Sequence, residues 1–222
     1  MNIRPFRLRL PWFMPVALLG TVLAASVART APVHVGVLGG IGLAHMDGAS
    51  SPLTEIKGLK GAGYGITLRI PIHPRLDLQP ELLAVTDGLS LGELINTDQS
   101  GNATGTFELL HVLDRIQIPV LLRVTPWDVP RLRPFAFAGP YLASRLREYD
   151  RFTGDVKSTV TNAVLKSTAY GITLGAGLQT RCGPGQLELQ GRYGMEFTDL
   201  GRVSGLGPVR ARALRVMAGY SL

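Results

Sequence analysis

From Val33 onward apolar residues return at every second position, in segment after segment, and this period of two commits the chain to β-strands with two chemically different faces. Val33, Val35, Val37, Gly39, Ile41 and Leu43 share one parity, opposite His34, Gly36, Leu38, Gly40, Gly42 and Ala44. Tyr64, Ile66, Leu68, Ile70 and Ile72 oppose Gly63, Gly65, Thr67 and Arg69. His73-Pro74-Arg75 then turns the chain into Leu76, Leu78, Pro80, Leu82 and Ala84, which oppose Asp77, Gln79 and Glu81. A fourth strand sets Ile116, Ile118, Val120, Leu122 and Val124 against Arg115, Gln117 and Arg123, and Phe135, Phe137, Gly139 and Tyr141 mark a fifth. Two more alternating strands, Tyr170 to Leu178 and Leu187 to Met195, flank the turn Cys182-Gly183-Pro184-Gly185. In the eighth strand Leu214, Val216, Ala218, Tyr220 and Leu222 oppose Arg215, Met217, Gly219 and Ser221.

The connections alternate in length. Long ones run at about Met46 to Gly61, Asp87 to Glu108, Arg147 to Ser167 and Thr198 to Arg210, and short ones lie between them. Eight strands with this asymmetry predict an all-β fold, an eight-stranded antiparallel up-and-down transmembrane β-barrel with short periplasmic turns and long outer loops. An even strand number puts both ends of the barrel on the short-turn side. The Asp87 to Glu108 stretch, acidic and rich in Gly, Asn, Ser and Thr, reads as a mobile loop.

Alternation alone leaves open which parity faces out. A soluble, lipocalin-like barrel binding an apolar ligand would put the Leu and Ile set inside. Three features favour a membrane instead: strands of about ten residues, a polar parity loaded with Gly, Ala and Thr, and aromatics near strand ends at Tyr64, Phe135, Tyr193, Phe197 and Tyr220, where an interfacial girdle lies. An eight-stranded barrel is only wide enough to be filled by its own side chains. The expectation is therefore a lumen in which Arg69, Arg115, Arg123, Arg192 and Arg215 meet Asp77, Glu81, Glu188 and Glu196, with no open pore.

Residues 1–28 have a basic start, an apolar stretch from Leu10 to Ala28 and the small-residue ending Ser26-Val27-Ala28, which predicts a Sec signal peptide cleaved after Ala28 and a barrel domain over 29–222. Arg4, Arg7 and Arg9 in that segment supply part of the formal charge of +7, and the remaining bases are scattered, which argues against nucleic-acid binding. The single cysteine, Cys182, has no partner for an internal disulfide.

No catalytic, cofactor-binding or metal-binding residue is assigned. His111, near Glu108 and Asp114, with Ser90 or Ser144, is the best candidate for an outer-membrane hydrolase of lipid or peptide, but no spacing ties these residues together. His34 reads as a packed luminal residue, and His45 with Asp47 makes a poor metal site. The Gly-rich stretch Gly36 to Gly42 lacks the lysine and the strand-to-helix setting of a phosphate loop.

Four segments in order, LDLQPELLAVTDG (Leu76 to Gly88), DRIQIPVLLRV (Asp114 to Val124, with Pro119 inside the strand), RPFAFAGPYLA (Arg133 to Ala143) and LELQGRYGMEFTDLG (Leu187 to Gly201), resemble the PorT-type family of outer-membrane β-barrels and, more loosely, the small OmpX-like barrels. The chain departs from that family in ending on Leu222 rather than Phe. The resemblance implies an integral outer-membrane protein with no enzymatic activity. The expected partners are outer-membrane lipids, the insertion machinery during assembly and an extracellular or envelope protein reached through the long loops; no cofactor is expected, and the barrel is expected to be a monomer.

Overall fold

A computed structural model describes residues 32–47, 57–97, 103–127, 131–154, 158–161, 167–198 and 210–222, so the expected signal peptide lies outside the described residues. The strands are β1 (His34–Asp47), β2 (Lys57–His73), β3 (Leu76–Thr97), β4 (Ala103–Val124), β5 (Arg133–Gly154), β6 (Ser158–Thr161), β7 (Thr168–Cys182), β8 (Gly185–Glu196) and β9 (Arg210–Ser221). Their order is β4-β3-β2-β1-β9-β8-β7-β5, and a further β4–β5 pairing joins the two edges. Every pairing is antiparallel. Eight strands thus form a closed barrel, and closure leaves no edge whose N–H and C=O groups would lie unpaired in hydrocarbon.

Two of the short turns follow directly from their residues. Gly183 takes φ of 60° as the first of two residues linking β7 to β8, the position that a type II′ hairpin reserves for glycine. Pro74 supplies its fixed φ to the two-residue link from β2 to β3.

The alternation resolves into faces as expected for a membrane barrel. Val35, Val37, Ile41, Leu43, Ile66, Leu68, Ile118, Leu122, Leu174, Leu189, Leu214 and Val216 point outward and are exposed, while Arg69, Arg115, Arg123, Arg192 and Arg215 are buried inside with Glu81, Glu188 and Glu196. This inverts the arrangement of a water-soluble barrel, so the lipocalin-like alternative is set aside. Tyr170 and Phe197 meet at 6.4 Å on the outer wall at the long-connection end. Tyr220 donates from its hydroxyl to the Cys182 carbonyl at the opposite end.

Phe135 departs from the expected girdle. It lies inside, 2% exposed, in contact with Phe137 at 6.1 Å between ring centroids. In β5 the bulky parity, Phe135, Phe137 and Tyr141, fills the lumen, and Ala136, Ala138 and Leu142 face outward. The neighbouring strand makes room. Phe135, Phe137 and Tyr141 pair with Gly177, Gly175 and Gly171 of β7, and a Cβ at any of those glycines would run into the ring opposite it.

A second departure concerns the expected loops at 87–108 and 147–167. β3, β4 and β5 each run for 22 residues, against 12 in β8 and β9. They stay paired beyond the barrel, with Glu93↔Glu108, Asn96↔Gly105 and Phe107↔Gly154. β6 then adds to the edge through Tyr149↔Thr161 to Phe152↔Ser158. The expected mobile loops are therefore, in large part, a sheet that rises from one side of the barrel. Ladder pairing carries it, and Ile95, Thr97, Thr106 and Phe107 bring strand-forming residues to segments whose acid and glycine content suggested a loop.

Candidate functional site

The lumen is built in layers, read upward from the short-turn end. At the bottom, Arg69 donates to Gln179 Oε1 (2.9 Å), Gln186 Oε1 (2.8 Å) and Ser221 Oγ (3.1 Å). Above it, Arg123 donates to Gln79 Oε1 (3.0 Å), to Glu188 Oε2 (2.8 Å) and to Gln179, and its guanidinium carbon lies 3.5 Å from the centre of the Phe135 ring. Next, Arg192 forks onto both oxygens of Glu81 at 2.8 and 3.2 Å, beside Phe137. A belt of Leu38, Leu83, Val85 and Met217 follows. Asp87 then takes both Arg115 and Arg215, and Arg115 also reaches Glu196. Leu113, Tyr141, Ala143, Ala169 and Ala211 cap the column.

Apart from Arg115 with Asp87, which joins the neighbouring strands β4 and β3, each pair crosses the lumen between strands that are not neighbours in the sheet: β3 with β8, β4 with β8, and β3 with β9. The lumen is a packed ionic core, as an eight-stranded barrel requires, and buried charges are tolerated there because each carboxylate meets a guanidinium. The expected set of acids needs one change. Asp87, assigned from sequence to a loop, sits at the centre of the upper cluster, while Asp77 lines a cavity at the bottom. The sequence signal for Asp87 was available, because it continues the luminal parity of Gln79, Glu81, Leu83 and Val85.

The expected hydrolase residues do not assemble. His111 sits just above the rim, with Nδ1 2.6 Å from Asp150 Oδ1 and Nε2 3.5 Å from Glu148 Oε1, and Arg145 pairs with that glutamate. Its acids thus come from β5 rather than from the expected Glu108 and Asp114. Asp114 accepts from Thr86 Oγ1 at 2.8 Å instead, and the Glu108 side chain lies outside what is described. Both imidazole nitrogens face carboxylates, so neither is aimed at a hydroxyl nucleophile. Ser144 pairs across the sheet with Ile116 and Thr168, lower on the wall, and Ser90 pairs with Leu110. His45 is exposed on the outer wall, and His34 is half-buried at the lower mouth.

That mouth is a cavity of about 390 Å³ whose lining includes His34, Arg69, His73, Arg75, Asp77 and Arg133. Sequence reasoning missed it, because its residues come from the ends of several strands and share no spacing.

Residues 25–201 match the family model described as an outer membrane protein beta-barrel domain. No curated protein matches the sequence. Among solved structures, the chain is similar to Ail of Yersinia pestis at 10% identity, with a TM-score of 0.40, over 86% of this chain and 100% of that one. It is similar to Neisserial surface protein A at 16% identity and a TM-score of 0.39, over 84% and 95% of the two chains. It is also similar to OprG of Pseudomonas aeruginosa at 10% identity and a TM-score of 0.46, over 88% and 98%.

Proposed function

The chain belongs to the outer-membrane β-barrel domain family and is an integral outer-membrane protein, and from that premise we propose that it is a non-enzymatic, closed barrel whose work is done by the sheet that rises above it. The carrying observation is the contrast between the two parts. Below the rim the lumen is filled by crossed ion pairs; above it, β3, β4 and β5 continue as a paired sheet, with β6 at the edge. About ten residues of each long strand, roughly 30 Å, project beyond the rim. A stiff sheet offers a partner a preformed surface with less ordering entropy to overcome than a free loop.

The four segments similar to the PorT-type family support placing the chain in that branch of small barrels. We infer that residues 1–28 are its export signal, that the barrel is a monomer, and that an extracellular or envelope protein is the partner of the sheet. The outward apolar band is the surface that meets the outer-membrane lipids, and the aromatic and apolar end of β9 is the segment read by the insertion machinery.

The test is a variant in which residues 91–107 are replaced by a two-residue turn. It should insert into the outer membrane, retain heat-modifiable mobility and stay non-conducting in planar bilayers, while losing the surface binding that the parent confers on cells displaying it. Steady conductance by the parent, or lipid or peptide hydrolysis abolished by His111→Ala, overturns the reading.

A further inference from the structure

We propose that the periplasmic mouth of the barrel binds a small anion, a solute carrying carboxylate or phosphate groups, with Arg69 as its principal anchor. The short-turn end that carries this mouth faces the periplasm in barrels of this kind, so the site is on the opposite side from the projecting sheet and stands on different residues.

The argument starts from charge balance along the lumen. Among the described residues, five arginines are buried below the rim, and four carboxylates, Glu81, Asp87, Glu188 and Glu196, are buried with them. Arg115, Arg123, Arg192 and Arg215 account for those four. Arg69 is the fifth, only 5% exposed, and among the described residues no carboxylate lies within ion-pair distance of it. Its partners are neutral: two glutamine side-chain oxygens and a serine hydroxyl. A buried guanidinium is normally held by an anion, because neutral acceptors recover only part of the solvation that burial removes. The three acceptors take three of the five guanidinium N–H groups and hold the guanidinium in place, so that an anion in the cavity meets a fixed, unneutralised positive charge.

The surroundings point the same way. Arg69 lines the cavity of about 390 Å³ together with Arg75 and Arg133, against a single acid, Asp77. An adjoining recess adds Arg131 and Arg181. Low-dielectric walls focus the field of such a concave basic surface and concentrate anions at it. The volume falls at the small end of the range of about 300 to 1,000 Å³ typical of small-molecule sites. The floor is closed by the Arg123 and Phe135 layer, so the mouth ends blindly and suits binding rather than passage.

The experiment is calorimetric titration of the full chain, folded in zwitterionic detergent at low salt, with citrate and with pyrophosphate as the two probes and sucrose as the neutral control. Saturable binding of at least one anion is expected. Binding of citrate alone identifies a carboxylate site, and binding of pyrophosphate alone a phosphate site. Arg69→Gln should weaken binding by about tenfold or more, the value of one charge-assisted hydrogen-bonding group. Because Arg69→Gln can disturb folding, Arg75→Gln on the exposed turn is the second variant, expected to weaken binding about threefold, while Arg212→Gln on the outer wall leaves it unchanged. No saturation by either anion up to 10 mM, or an equal loss in Arg212→Gln, overturns the proposal.

Discussion

Replacing Arg123 with Met should cost the barrel about 3 to 5 kcal/mol, the usual penalty for stranding one member of a buried ion pair. Arg123 is 1% exposed, it carries hydrogen bonds to Gln79, Gln179 and Glu188, and it packs on the Phe135 ring. Removing the guanidinium leaves the Glu188 carboxylate buried without its ion-pair partner. Gln179 keeps a donor in Arg69, so the groups left short are the Gln79 oxygen and Glu188, whose carboxylate keeps only a 3.5 Å hydrogen bond from Gln190 Nε2. The charged orphan accounts for most of the cost. Arg123→Met combined with Glu188→Leu should therefore be more stable than Arg123→Met alone, by about 2 kcal/mol, because one unsatisfied amide oxygen costs only about 1 to 3 kcal/mol.

The assay is guanidinium unfolding in lipid vesicles, with the heat-modifiable band scored at each concentration. The single variant should shift the folding equilibrium by about 10²- to 10⁴-fold at about 1.4 kcal/mol per decade. A loss under about 1 kcal/mol would show that the luminal charges are solvated rather than packed. A double variant weaker than the single would show that the carboxylate is held by something other than Arg123. Either outcome refutes the account of the lumen given above.

Leu189→Arg, on the lipid face of β8 and 56% exposed, should cost about 2 to 4 kcal/mol in vesicles; a variant as stable as the parent would reverse the assignment of faces. Gly175→Leu drives a side chain into the Phe137 ring and should cost about 1 to 3 kcal/mol by overpacking. Phe137→Ala in the same chain should recover part of it, as read from unfolding midpoints. In planar bilayers the parent should give no steady conductance, whereas Arg192→Ala with Glu81→Ala, which empties one luminal layer, should raise ion leakage measurably.

Much of the barrel was legible in the sequence because lipid and lumen impose opposite chemistries on successive residues, and β1, β2, β8 and β9 carry that contrast openly. β5 does not. Both of its parities are apolar, so alternation could not decide its phase, and Phe135 read as an interfacial residue. The deciding information lay one strand away, in the spacing of Gly171, Gly175 and Gly177, which mirrors Tyr141, Phe137 and Phe135. Asp87 was legible in parity but hidden by composition, since Gly88, Ser90 and Gly92 around it resemble a turn. The mouth was not legible at all: Arg69, Arg75 and Arg133 stand on two strand ends and a turn, and only closure of the barrel brings them to one rim.

Closure also explains why so many charges are retained in a lumen that leucines could fill. Ladder hydrogen bonds tie each strand to its neighbours and are nearly indifferent to a slip of two residues, which restores the same faces; a slip of one exchanges lipid and luminal residues and is excluded by the bilayer itself. The crossed pairs remove the remaining ambiguity. Glu81 meets Arg192, and Asp87 meets Arg215, across the lumen; a two-residue shift at the β1–β9 seam moves these partners by about 7 Å, which breaks both pairs in a dry interior and strands Glu81, Arg192 and Arg215. Glycines at the same seam work in the same sense, because a Cβ at Gly40 would strike the Val216 carbonyl and Met217, so the registered strands come closer there than any other residue permits. The ionic core thus specifies one closed register among several that hydrogen bonding alone would allow, a role for which buried polar pairs are well suited even where their net contribution to stability is small.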